Sequence, residues 1–302
     1  MKFSFNRITI VSLAVLFLSF LFSCQKENSF SGSSTTVTEA QASNYTDEST
    51  QADASFEDVG DVGMTAADEE GIASTAGRGQ DSSRVYLPTF DELRLRLGSC
   101  AVITITPNDS TYPKTITIDF GDGCICRDGK FRKGAIILHL TGPIRRSGSV
   151  LTITFRNFYL NRAHIEGTKI ISNLSENGQI KFTVQVVGGK VTFPNGRGYS
   201  YESLKYVVQI AGMGTPTVRD DVYRIEGRSR TEFNNGVTVI LDTDDPLIKK
   251  VACPWISDGT LKIKINDRVF RLDYGFPNNG DCDNKALLMW NNGNSQLVIT
   301  LP

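Results

Sequence analysis

The sequence predicts an all-β fold, an antiparallel meander that forms a sandwich or a strongly curled sheet, preceded by a disordered N-terminal linker. Three observations carry this expectation. From residue 100 onward, apolar and polar residues alternate with period two in short runs, the mark of strands with one face buried. The runs are punctuated by Asn, Gly, Asp and Pro, which enter turns at low conformational cost. After residue 97 no stretch repeats its apolar residues at the spacing of a long amphipathic helix, so βαβ architectures lack their crossover helices.

Residues 1–23 read as an export signal. Lys2 and Arg7 form a basic start, and residues 8–21 are an almost unbroken apolar run. That run is too short for a membrane anchor, which needs about 20 apolar residues. Leu21-Phe22-Ser23-Cys24 resembles the lipobox of bacterial lipoproteins. The resemblance implies cleavage before Cys24 and acylation of its thiol and new amino group, and two or more acyl chains hold a protein stably at a bilayer. Gln25-Lys26-Glu27 also resembles the short signal that sends lipoproteins of Bacteroidota to the cell surface. The expected address is the outer membrane, lipid-anchored and facing outward, with a periplasm-facing orientation as the alternative. Such an address excludes nucleic acid as a partner.

Residues 24–83 are expected to be a lipidated, disordered acidic linker, because Ser, Thr, Ala, Gly, Asp and Glu dominate and no period can be read. Charge divides sharply along the chain. Residues 25–85 hold 12 acids and 3 bases, whereas residues 86–302 hold 21 acids and 27 bases. The basic body hints at an anionic polymer as partner, against the plainer reading of a solvated surface.

The body spans 84–302, as one unit or as two packed lobes split near 215–220. Residues 84–97 are transitional, with room for one or two helical turns. Ile103 and Ile105, then Ile116, Ile118 and Phe120, then Leu151, Ile153 and Phe155 alternate with Thr or Asp and mark half-buried strands. Asn177-Gly178 is a strong hairpin signal, and Gly188-Gly189 is expected to supply the next turn. Further strands are expected at 201–210, 221–227, 237–242, 261–265, 269–274, 286–290 and 296–301.

Two stretches echo each other. Cys100, two strands, Asp119-Phe120-Gly121, Cys124 and Lys133 match Cys253, two strands, Asp273-Tyr274-Gly275, Cys282 and Lys285 in order and type. Six cysteines less Cys24 leave five, and parity alone decides no pairing. In both copies one cysteine precedes a hairpin and the other follows it, which predicts Cys100 with Cys124 and Cys253 with Cys282. Cys126 is left over, and as a near neighbour of Cys124 it competes for Cys100.

TYPKTITIDFGDGC, TPTVRDDVYRIEG, LIKKVACPWISDGTLKIKI and GDCDNKALL together resemble a group of β-rich surface lipoproteins of Bacteroidota. The resemblance covers most of the chain after Cys100. It implies a surface lipoprotein with an all-β body, and it lends no reaction or ligand. Asp119-Phe120-Gly121-Asp122-Gly123 is similar to the corresponding motif of PKD domains, although a plain turn explains it.

Candidate chemistry is sparse. No cofactor is implied, and calcium at Asp119, Asp122 and Asp128 is the alternative to an empty turn. Asp242, Asp244 and Asp245 read equally well as a solvated turn before Pro246. Two histidines, with no HExxH and no GxSxG, give no catalytic residue to name. Asp109-Ser110-Thr111 resembles the O-glycosylation sequence used by Bacteroidota, with Ser110 as acceptor. Among the aromatic residues Tyr199 and Tyr201, beside a Gly-rich turn, are expected to be exposed for stacking on sugars. Arg127, Arg132, Arg145 and Arg146 are the expected anion contacts. The function expected is a non-catalytic binding or adhesion module for glycan or host polymer. The alternatives are a structural cell-envelope protein and, third, a carbohydrate-active hydrolase.

Overall fold

The computed structural model describes residues 39–76, 86, 88–213, 215 and 219–301. The signal segment, the lipobox with Cys24 and the first part of the expected linker lie outside the described residues. The body is an all-β meander. Its strands are β1 (Val102–Thr106), β2 (Lys114–Asp119), β3 (Cys124–Ile125), β4 (Phe131–Leu140), β5 (Val150–Leu160), β6 (Ala163–Asn173) and β7 (Lys181–Thr192). They continue with β8 (Gly198–Ala211), β9 (Val222–Phe233), β10 (Thr238–Lys250), β11 (Asp258–Ile265), β12 (Arg268–Asp273), β13 (Lys285–Trp290) and β14 (Ser295–Thr300). All pairings are antiparallel and follow chain order, except that the short β3 lies off the path against β4. The sheet does not close, so β1 and β14 are its edges.

A split near 215–220, expected as the alternative to one unit, does not interrupt the sheet. β8 and β9 pair from Tyr199↔Phe233 to Ala211↔Val222, so the sheet runs unbroken across that hairpin. Gly188-Gly189 is also corrected. These glycines lie inside β7 at a bulge, where the register with β8 shifts between Val186 and Gly189. A side chain at Gly189 would strike the Tyr201 carbonyl at 2.5 Å, and one at Gly167 on β6 would strike Gly189 at 2.7 Å. The paired glycines thin the sheet where Phe56 approaches, 3.0 Å from the position of a Gly189 Cβ.

The largest correction concerns the linker. Over Glu39–Ala76 the chain is one helix of 38 residues, α1, and a second helix, α2 (Asp91–Leu97), follows. α1 packs against β4, β5, β9, β10 and β11, strands far apart in the sheet, so the sheet curls around it. A helix enclosed on several sides needs no apolar stripe, which is why its sequence has no readable amphipathic period. Its buried residues are mostly small: Ala42, Ser49, Ala52, Gly60, Gly63, Ala66, Ala67 and Gly71. Gly63 lets α1 settle on Ile153 and Leu138, whose side chains would lie 2.6 and 3.2 Å from a Cβ there. Phe56, Val59 and Val62 supply the larger apolar contacts, and they join a core lined by Ile116, Ile118, Ile136, Leu138, Leu241, Ile263 and Leu272.

Candidate functional site

The polar chemistry of the body gathers along α1. Between residues 39 and 76 the chain has ten acids and no base, and the inward face of the sheet meets them with cations. Asp58 is the centre of one cluster. Arg132 donates to both of its oxygens at 2.9 Å, Lys130 at 2.8 Å and Arg96 of α2 at 2.5 Å. Asp128 adds a second carboxylate, 2.7 Å from Arg132 and 3.2 Å from Arg96. Burial alone would raise the Asp58 carboxyl, but Arg132, Arg96 and Lys130 outweigh it and bring it down to about 2.

A second cluster lies a little more than a turn earlier on the helix. Lys205 of β8 reaches Asp53 at 2.8 Å and Glu57 at 2.9 Å, while Lys169 of β6 donates to the Phe56 carbonyl at 2.8 Å. Burial would depress Lys205, yet the two carboxylates hold its ammonium well above the ordinary range. Near the helix end the buried Glu70 faces Lys114 at 3.5 Å and accepts from the Tyr86 hydroxyl at 2.9 Å and from Tyr112. Arg145 donates to Asp68 at 2.9 Å, and Arg197 pairs with Glu48. Glu69 caps α2, accepting from the backbone N–H of Glu92 at 2.9 Å and of Leu93 at 3.1 Å. The basic body therefore finds its anion within the chain.

This arrangement changes the standing of the sequence-derived candidates. Tyr199 and Tyr201, expected to be exposed, are both 1 % exposed. They sit on the inward row of β8, with Tyr201 stacked on Phe56 at 5.0 Å and hydrogen-bonded to Asp53. Tyr199 meets Phe193 and Phe233 edge-on. Arg132 is fully buried, and Arg145, though exposed, is already paired with Asp68. Arg127 and Arg146 are exposed. Ser110 lies half-buried in the β1–β2 turn, where Asp109 accepts from the Thr111 N–H at 2.8 Å.

The acidic turns are likewise engaged. Asp119 binds Arg156 at 2.6 Å and Asp128 binds Arg132, so two of the three carboxylates named for calcium face separate cations. Asp242, Asp244 and Asp245 lie within β10 at a bulge, not in a turn, and pair with Arg228 and Arg271. The two echoing Asp-aromatic-Gly stretches have the same local build. Asp119 accepts from the Gly121 N–H at 2.8 Å, and Asp273 from the Gly275 N–H at 2.9 Å.

Cys100 is bonded to Cys124 and Cys253 to Cys282, with Cα separations of 5.8 and 5.6 Å. Cys126 is free and buried. The outward row of β8 is the other notable surface: Leu204, Tyr206 and Ile210 are exposed, and Tyr206 is 53 % exposed. Tyr206 stands opposite Thr183 of β7 and Glu226 of β9, and Leu204 opposite Gln185 and Arg228. Among the described residues it is the one exposed aromatic ring.

Comparison with known proteins returns no match to a family model, a curated protein or a solved structure.

Proposed function

We propose that the protein is a non-catalytic binding module, tethered to the outer membrane through lipid on Cys24 and displayed at the cell surface, that takes a glycan or host polymer on its convex face around Tyr206. The observation that carries the reading is the exposed β8 row. A flat ring at its middle and Leu204 and Ile210 beside it offer an apolar platform. Thr183, Gln185, Glu226 and Arg228 border it with groups that hydrogen-bond to hydroxyls. The filling of the concave side by α1 also points outward, since it leaves a large ligand the outer surface. A hydrolase fits less well, because Asp53, Asp58, Glu57 and Glu70 are each held by a cation and are poorly suited to proton transfer.

The second reading, a structural component of the cell envelope, draws on the same filled concavity. A glycan array probed with the soluble body separates the two. Tyr206→Ala should cut affinity for a retained glycan about tenfold or more, as loss of a central aromatic anchor does, and should leave the thermal melt unchanged. No retained glycan or polymer, or undiminished binding by Tyr206→Ala, would leave the structural reading.

A further inference from the structure

The sulfurs of Cys100, Cys124 and Cys126 lie within 4.8 Å of one another. Two of them form a disulfide and the third is a buried thiol. The backbone fixes this arrangement. Cys124 pairs with Arg132 across β3 and β4, and the Cys126 N–H donates to the Lys130 carbonyl at 2.9 Å, so both cysteines of the β3 hairpin are held beside Cys100 at the entrance to β1. The second copy of the echo has a disulfide, Cys253–Cys282, and no third cysteine.

We propose that Cys100, Cys124 and Cys126 form an internal thiol–disulfide exchange site. The Cys126 thiolate attacks Sγ of Cys100, the Cys100–Cys126 bond forms as Cys100–Cys124 breaks, and Cys124 leaves as a thiolate that takes up the proton Cys126 gave up. No oxidant or reductant is consumed. The exchange moves the free thiol from a buried position to the half-buried Cys124, beside Ile125, which is 75 % exposed. The charged groups around Cys126 are Arg132, Asp128 and Asp58, with Arg96 and Lys130 bound to the same carboxylates. Burial outweighs the pull of Arg132 and holds the thiol above its ordinary range, so exchange is favoured by alkaline pH. Because Arg132 also grips Asp58 of α1, the exchange site abuts the contact that holds the helix in the sheet.

Incubating the purified, oxidised full-length protein at mildly alkaline pH, quenching in acid, alkylating and mapping non-reduced peptides tests this, with the linked cysteine assigned by fragmentation. Two species are expected, Cys100–Cys124 with the tag on Cys126 and Cys100–Cys126 with the tag on Cys124, while Cys253–Cys282 stays constant as the internal control. Cys124→Ser should form Cys100–Cys126 and lose all alkylation at both residues. A tag confined to Cys126 throughout the incubation would overturn the proposal. So would a folded Cys124→Ser protein, its Cys253–Cys282 bond intact, in which Cys100 and Cys126 are both alkylated.

Discussion

Asp58→Asn tests whether charge holds α1 in place. The substitution removes the negative charge between Arg132, Arg96 and Lys130 and leaves Arg132, which is fully buried, dependent on Asp128 alone. Two routes give its cost. The drop of the Asp58 carboxyl from 3.8 to about 2 corresponds to about 2–3 kcal/mol, at about 1.4 kcal/mol per pKa unit. Breaking a buried ion pair by removing one partner costs about 3–5 kcal/mol when the other is left uncompensated. Asp128 supplies partial compensation, so the expected loss is about 2–3 kcal/mol. Urea unfolding at neutral pH of wild type and variant, both lacking the first 24 residues, measures it.

Acid gives an independent reading of the same contact. Folded Asp58 holds its proton less tightly than the unfolded chain does, so protonation favours unfolding. The contribution is complete above about pH 4 and is lost as pH falls towards about 2. The gap between wild type and Asp58→Asn should close over that window. A variant within about 0.5 kcal/mol of wild type at neutral pH, the scatter expected of an ordinary surface substitution, would refute the reasoning. A gap of constant size through the acid range would refute it equally.

Gly63→Val should destabilise by about 1–3 kcal/mol through overpacking, because its side chain would meet Ile153 where a Cβ is already within 2.6 Å; chemical denaturation checks this. Replacing Cys253 and Cys282 together by Ala opens a 29-residue separation and should cost about 3–4 kcal/mol in the chain-entropy account, read as a lower urea midpoint with reductant absent.

The strands were legible because each has one face on the core and one on solvent, so Ile116, Ile118, Leu151 and Ile153 alternate with polar neighbours in the sequence itself. The disulfide partners were legible for a related reason: a hairpin brings its flanking residues together whatever its length. α1 was not. Its buried face is mostly Ala, Gly, Ser and Thr, and its acids are satisfied by Lys169, Lys205 and Arg132, none of which is local in sequence. The one signal in the sequence is the charge division between residues 25–85 and the rest, which reads as a solvated surface or an external anion and not as pairing within the chain.

The error at Tyr199 and Tyr201 follows from the same cause. Strand β8 carries Tyr199, Tyr201, Ser203 and Lys205 on one row and Ser200, Glu202, Leu204 and Tyr206 on the other. Both rows mix polar and apolar residues, and only the helix carboxylates decide that Lys205 faces inward. Gly188-Gly189 misled in turn because the need for a bulge there is set by Gly167 and Phe56, which no local window contains.

The position of α1 at the start of the chain sets an order of assembly. Its partners emerge late during synthesis: Glu48 pairs with a residue 149 positions away, and Tyr45 with one 190 positions away. Until those strands exist, the acidic segment has neither apolar stripe nor counter-charge, and an isolated helix with three glycines and many Ser and Thr residues is poorly populated in water. The first part of the domain to leave the ribosome is thus among the last to become ordered. Contacts this remote make the curling of the sheet around α1 the slow, entropically demanding event of folding.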